Sequence, residues 1–401
     1  MSRSMVLYLH MHQPMRIRHF TIFDVGVNAD YFQSTSDDDT NNQRVLDKII
    51  EKSYSPTLDV LGELLQTHPE FQFSLSISGT LIEQLENCDS EIIPKLRSLV
   101  ETRRVEIVGE TYHHSLTFFY DQQEFETQVN MHAQKIQHLF GVTPTAFRNT
   151  ELAYNNQLAS WAESRGYKVI LAEGWDPILG WRSPNFVYRP PDTHNIRLLL
   201  KNYKLSDDIA FRFGDKKWSG WPLTVDKFNS WANAGDGTNI NLFMDFETFG
   251  EHQWEDTGIF DFLKALPGEW LKTASNNFMT ISKMASSQEP VDVVDMPNTV
   301  TWADTERDLS AWLGNPMQRQ AIQSLYELGG SITNTQDLEL IEDWRKLQTS
   351  DHFYYMCTKW FNDGDIHAYF SPYQTPYEAF INFMNSYHSL RARLIEKGVQ
   401  L

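Results

Sequence analysis

The chain has 401 residues, 41% of them hydrophobic and 22% charged, which is enough apolar side chain for a core and too much for a disordered chain. Fifty-three acidic residues against 34 basic ones give a formal net charge of −19. That balance excludes the basic footprint of a nucleic-acid binder, disfavours an anionic membrane surface and suits a neutral substrate.

No apolar run approaches about 18 residues, so no transmembrane helix is expected. The opening MSRSMVLYLHMHQP lacks the long apolar core and small-residue cleavage site of a signal peptide. Cys88 and Cys357 are the two cysteines, far apart and outside any CxxC, so neither a disulfide framework nor a zinc site is indicated. A soluble, cytoplasmic protein is expected, and the sequence carries no signal for oligomeric state.

In chain order, Met5–Leu9 reads as a short buried strand. Ser55–Pro56 reads as an N-cap followed by Pro at the first helical position, with Leu58, Leu61, Leu64 and Leu65 on one face of the helix that follows. Phe71–Ile77, apolar at every second position, reads as the next strand. Thr80 and Glu83 have capping-box spacing and open another helix. Val105–Val108, Ala146–Phe147, Val169–Ala172, Ile196–Leu200 and Ile240–Met244 are further strands. Between them, Gln122–Leu139 is helical in pattern and stops at Gly141.

Strand–helix alternation implies an α/β fold with a parallel sheet and right-handed crossovers. About seven strands suggest a closed or nearly closed barrel more than an open dinucleotide sheet, and no GxGxxG or GxxxxGK[ST] follows any strand. Asn202–Asn239 carries Gly, Asn, Asp and Trp without clear periodicity and reads as a long surface excursion. Towards the C-terminus, Met317–Leu328 reads as a helix stopped by Gly329-Gly330. Leu338, Ile341, Trp344 and Leu347 repeat at helical spacing. Thr375-Pro376-Tyr377-Glu378 combines a Thr N-cap, Pro at N1 and Glu at N3, opening a helix that runs to Gly398. This is the pattern of an α-helical C-terminal bundle.

In a parallel barrel, functional residues collect at the C-terminal ends of the strands. The first strand is followed by His10-Met-His12-Gln13-Pro14. The later ones are followed by Gly109-Glu110 with His113-His114, by Arg148-Asn149-Thr150-Glu151, by Glu173-Gly174-Trp175-Asp176, and by Asp245-Phe246-Glu247. Titratable residues at the same end of five strands point to one shared site. His10 and His12 share a strand face, whereas of the adjacent His113 and His114 at most one faces the site. The plainer reading of Glu151 is a first-turn acid of the next helix, and of Asp245 and Glu247 a solvated rim. Their place after apolar strands argues for a position near the core.

Two carboxylates brought from different strands to one cleft are the machinery of glycosidic bond hydrolysis. One stays ionised to attack the anomeric carbon, and the other holds a proton for the leaving oxygen, so their environments must push the two pKa values apart. Glu151 and Asp245 are one such pair; Glu110, Glu173 and Glu247 compete. The aromatic wealth of the chain, with 12 Trp, 16 Tyr and 25 Phe, serves either a large core or a cleft for sugar faces.

These residues resemble glycoside hydrolase family 57, the α-amylase-like family of retaining α-glucan enzymes. His12-Gln13-Pro14 looks like its first motif, and Val105-Glu-Ile-Val-Gly109 with His113-His114 is similar to its second. Thr150-Glu151-Leu-Ala-Tyr154 resembles the third, which carries the nucleophile. Asp245-Phe-Glu247-Thr-Phe-Gly250 resembles the fourth, whose leading Asp is the general acid/base. Thr301-Trp302-Ala-Asp304 and the run Glu306–Asn315 resemble the fifth. The resemblance implies an incomplete (β/α)7 barrel over 1–290 with inserted loops and a C-terminal α-helical domain over 291–401 that contributes to the cleft. It implies that Glu151 attacks and Asp245 protonates, with carboxyl groups about 5–5.5 Å apart. His10, His12, Glu110, His114 and Glu247 would bind the sugar, and Trp175 and Trp302 would stack on glucosyl rings. The implied substrate is an α-glucan or malto-oligosaccharide, with no cofactor and no metal. Two departures stand out: Arg148-Asn149-Thr150 precedes Glu151 where an aromatic residue is usual, and Glu110 stands where Gly is common.

Three other readings compete. A 4-α-glucanotransferase or branching enzyme would pass the same covalent intermediate to a sugar. Metal-dependent polysaccharide deacetylases want an Asp pair after the first strand and a His-x3-His, and α-mannosidases want a His-x-Asp where His12 stands. A non-catalytic glucan-binding role would leave function intact in Glu151→Gln.

Overall fold

The apolar runs of the sequence pair with one another in a single direction. The computed structural model describes residues 3–359 and 366–400. Within it lie strands Arg3–Met11 (β1), Phe73–Ile77 (β2), Val105–Ile107 (β3), Ala146–Phe147 (β4), Val169–Glu173 (β5), Arg197–Lys201 (β6), Asn239–Asp245 (β7) and Asn276–Phe278 (β8). One sheet has the order β3-β2-β1-β7 with β8 also on β1, and the other the order β4-β5-β6. Every ladder is parallel. All residues of β2 and β5 are buried, as parallel strands covered on both faces require.

The two sheets are hydrogen-bonded to each other at both edges. The Gly109 amide donates to the Ala146 carbonyl and the Arg148 amide to the Gly109 carbonyl, both at 2.9 Å. At the other edge the Asn202 amide donates to the Asn241 carbonyl at 2.9 Å, and the Asn241 side chain donates to the Leu200 carbonyl at 2.8 Å. Strand β8 was not apparent in the sequence: three residues, two of them Asn, are too short and too polar to show a strand pattern.

The chain divides into two compact units. Unit 1 comprises 1–12, 48–110 and 131–302 and holds all eight strands. Val6 and Tyr8 of β1, Val108, Ala146, Val169 and Leu171 of β5, Leu199 of β6 and Phe243 of β7 form one buried cluster, to which both sheets contribute. Unit 2 comprises 13–47, 111–130 and 303–401. Its helices, among them Pro316–Glu327, Leu338–Lys346 and Pro376–Glu396, gather around Trp312, Leu325, Trp344, Phe353, Phe383 and Leu390. No helix among the described residues is long and apolar enough to cross a membrane.

Several local readings change. Ser55 is no cap: it lies in a helical run that starts at Asn42 and passes through a π-helical segment, Ile50–Tyr54. Pro56 has no N–H for the Lys52 carbonyl, and the widened turn absorbs that loss. Gly250, at φ +103°, brings its backbone so close to this carbonyl that a Cβ would overlap it. The helix Gly79–Glu86 is capped by Ser78 rather than Thr80, since the Ser78 hydroxyl accepts the Leu81 amide. The stretch 202–239 contains the helices Tyr203–Ala210 and Val225–Ala234, whose short apolar faces show little period in a Gly- and Asn-rich sequence. The helix Pro316–Glu327 does stop before Gly329-Gly330, with Leu328 as its C-cap, and Gly329 then opens a further helix, Gly329–Thr335. Thr375 caps Pro376–Glu396 as its spacing predicts, with its hydroxyl accepting the Glu378 amide at 3.1 Å.

Candidate active site

Side chains alternate along a strand, so the residue two beyond an inward-facing apolar one faces the same way. Applied to the core of unit 1, this rule places six polar residues on one level. His10 follows Tyr8, Glu110 follows Val108, Arg148 follows Ala146, Glu173 follows Leu171, Lys201 follows Leu199 and Asp245 follows Phe243. Because the strands are parallel, all six lie at the same end of the sheets. Within each sheet the register pairs members of this set: His10 stands opposite Asp245 on β7, as well as opposite Ser76 on β2, and Glu173 stands opposite Lys201.

Charges buried this deeply need partners. Glu110, Arg148 and Glu173 have no exposed surface, and His10 and Lys201 have 2% and 4%. Arg148 Nη1 lies 3.6 Å from Glu110 Oε2 and 3.3 Å from His10 Nε2. A guanidinium can only donate, so His10 Nε2 accepts and the ring proton sits on Nδ1, which meets Ser76 Oγ at 2.8 Å and Glu110 Oε1 at 3.5 Å. Beneath them the Tyr8 hydroxyl bonds Ser76 Oγ at 2.6 Å, and its burial pushes its pKa up. Lys201 Nζ bonds Asp207 Oδ1 at 2.9 Å and lies 3.7 Å from Glu173 Oε2, while Glu173 Oε1 accepts the Gly174 amide at 2.8 Å.

Glu151 sits in the turn Thr150–Leu152 after β4. Glu151 and Leu152 are both left-handed, at φ +59° and +49°. The segment Val300–Trp302 runs antiparallel against this turn. Tyr154 and Val300 exchange backbone hydrogen bonds at 2.9 Å, and the Trp302 amide donates to the Glu151 carbonyl at 3.3 Å. Trp302 Nε1 then donates to Glu151 Oε2 at 2.8 Å. The same indole has Arg148 Cζ 5.3 Å and Lys201 Nζ 5.5 Å from its ring centroid.

Glu247 accepts the Tyr54 hydroxyl and, at 3.4 Å, the His12 amide. The His12 ring is fixed by Ser78 Oγ at 2.7 Å from Nδ1. Of the five carboxylates in contention, Glu110, Glu173 and Glu247 are buried and bonded, whereas Glu151 and Asp245 keep partial exposure. Trp175 is half-buried at the head of the short helix Asp176–Leu179.

The remaining expected residue, His114, belongs to unit 2. There the Ser350 amide donates to its carbonyl at 2.9 Å, and the neighbouring His113 carbonyl accepts the Thr349 hydroxyl at 3.0 Å. Asp304, from the fifth motif, also lies in unit 2, 3.2 Å from His367 Nε2 and 3.3 Å from Lys359 Nζ. Lys201, Ser76 and Tyr54 were missed from the sequence. Two-residue spacing from Leu199 would have found Lys201; nothing local marks Tyr54, which arrives from the π-helical segment.

Residues 6–297 match the model of the family described as Glycosyl hydrolase family 57. A Methanocaldococcus jannaschii protein that carries the provisional name alpha-amylase is 39% identical over 386 residues, covering 94% of this chain and 81% of that protein. Among solved structures, a GH57 branching enzyme from Thermococcus kodakaraensis aligns with a TM-score of 0.72 at 13% identity, over 99% of this chain and 92% of the other. A 4-alpha-glucanotransferase from Thermococcus litoralis aligns with a TM-score of 0.66 at 17% identity, over 88% of this chain. The chain spans 56% of that enzyme's length. At these identities the two structures show a common fold.

The buried network makes a prediction. Arg148→Met strips the guanidinium from Glu110 and should cost roughly 3–5 kcal/mol of unfolding free energy. Adding Glu110→Gln should recover a large part of it. Denaturant titrations of the two variants decide, and equal losses in both would contradict the pairing. A second prediction concerns pH. Burial, reinforced by the charges of Arg345 and Lys346, holds His113 well below the usual histidine range. The unfolded chain takes up this proton near pH 6.5 and the folded chain does not, so stability falls as pH drops below about 6.5. Relative to His113→Gln, the wild type should lose up to about 1.4 kcal/mol per pH unit between pH 6.5 and 5. A difference that stays constant over that range would contradict it.

Proposed function

The chain belongs to glycosyl hydrolase family 57, and from that premise we propose that it is a retaining α-glycosidase of α-amylase type. Its substrate in this reading is the α-1,4-linked chain of starch-like glucans or malto-oligosaccharides. The observation that carries the assignment of the catalytic pair is the exposure contrast. Asp245 in the row and Glu151 in the turn beyond β4 are the half-open carboxylates, whereas Glu110, Glu173 and Glu247 are buried.

Glu151 is the nucleophile. Its Oε2 accepts the Trp302 indole N–H, and the Arg148 and Lys201 cations lie against that indole. Asp245 is the acid. It protonates the leaving oxygen as Glu151 bonds the anomeric carbon, then takes a proton from the water that releases the sugar with retained configuration. His10, His12, Glu110 and Glu247 form the polar floor and wall of the sugar site, and Trp175 offers an aromatic face. Unit 1 is read as an incomplete (β/α)7 barrel, supported by the edge-to-edge hydrogen bonds between its sheets, and the helices of unit 2 as the α-helical bundle. Two free thiols, Cys88 and Cys357, suit a reducing, cytoplasmic setting. A transferase reading, in which a sugar hydroxyl replaces water, draws support from the likeness to the branching enzyme and the glucanotransferase.

Incubation with maltoheptaose and soluble starch in the presence of EDTA tests the proposal. Reducing ends should rise for the wild type, and Glu151→Gln and Asp245→Asn should each lose on the order of 10³-fold or more. Longer and shorter oligosaccharides without new reducing ends would select the transferase. Full activity in either variant, or none in the wild type on any α-glucan, would overturn the assignment.

A further inference from the structure

We propose that the segment Val300–Trp302 is a clamp on the nucleophile, with Trp302 acting as a positioning residue for Glu151 instead of a platform for sugar rings. The inference rests on the reading of Glu151 as the nucleophile. Its grounds are geometric. Two consecutive non-glycine residues in the left-handed region, Glu151 and Leu152, each carry a conformational cost, and such residues persist where the surroundings over-determine them. Here the surroundings are the backbone pairs Tyr154–Val300 and Glu151–Trp302. The indole N–H completes the clamp on the carboxylate itself, at 2.8 Å. Arg148 and Lys201 press on the indole ring, which fixes its plane and polarises its N–H.

Arg148, in the Arg148-Asn149-Thr150 segment that precedes Glu151, therefore has a defined use. Its Nη1 reaches both His10 and Glu110 while its guanidinium lies against the Trp302 ring. One side chain ties the polar floor to the clamp.

The donor acts unequally on the two halves of the reaction. In the first half, Glu151 gives up its charge as a carboxylate oxygen bonds the anomeric carbon. In the second half, the bond between the anomeric carbon and Glu151 breaks and its electron pair returns to the carboxylate. Water oxygen bonds the carbon, and the water proton passes to Asp245. A donor on the carboxylate stabilises the returning charge, so Trp302 favours release of the glycosyl-enzyme more than its formation.

Trp302→Phe keeps the ring and removes the donor. Losing a hydrogen bond to a charged group should lower kcat about 10–100-fold. KM for maltoheptaose should be unchanged or lower, and intact-mass spectra during turnover should show a larger glycosyl-enzyme fraction than in the wild type. A raised KM with unchanged kcat would make Trp302 a stacking platform and overturn the clamp, as would an intermediate fraction equal to that of the wild type. A second readout needs no substrate and no variant at Trp302. In wild-type protein with 15N-labelled tryptophan, one indole resonance should move with pH as Glu151 titrates, and this movement should vanish in Glu151→Gln. The same pH response in both proteins would refute the contact. If the wild type cleaves no α-glucan, the proposed function fails, while the indole titration still decides the clamp.

Discussion

The site depends on the shared direction of its strands. In a parallel ladder every strand ends at the same side, and side-chain alternation then converts one inward apolar residue per strand into one inward polar residue two positions later. Tyr8 becomes His10, Leu171 becomes Glu173, Leu199 becomes Lys201 and Phe243 becomes Asp245. The same layer of apolar side chains that holds the two sheets of unit 1 together is thus the floor on which the chemistry stands. No single loop builds this arrangement, and slipping any one strand by a residue would turn its functional side chain away.

Placing so many charges against an apolar floor is costly unless they neutralise one another. The solution is a pair of local balances. On one side Arg148 serves Glu110 and His10; on the other Lys201 serves Asp207 and Glu173. Both cations also lie against the Trp302 indole, which donates to Glu151. The buried acids are thereby occupied, and Glu151 and Asp245 stand partly open. Residues of identical type are thus set apart by burial and by partner.

Much of this was legible in the sequence. The strands at 5–9, 146–147 and 169–172 show in the sequence as apolar runs, and the residues just beyond them point to one site. Lys201 is hidden in the sequence because the apolar run ends at Leu200 while the strand continues one residue further, to the lysine that pairs with Glu173. Tyr54 escaped because a π-helical turn re-aims it towards Glu247, and the sequence shows only a Pro nearby. Ser55 looked like a cap because Pro56 follows it, but continuous helix on its N-terminal side overrides that local signal. The contact of Trp302 with Glu151 joins residues far apart in the chain, and nothing in local composition encodes such a meeting. Period and capping are local properties; ion pairs and indole donors are long-range ones.

The central claim is that Glu151 and Asp245 cleave an α-glucosidic bond by double displacement. Stereochemistry tests it most directly. Maltoheptaose cleavage followed by proton NMR in the first minutes, before mutarotation, reports the anomer that leaves the enzyme. The account predicts that the α-anomer appears first and the β-anomer grows in later at the spontaneous rate. A β-anomer formed first would mean a single displacement by water and would contradict a covalent Glu151 intermediate.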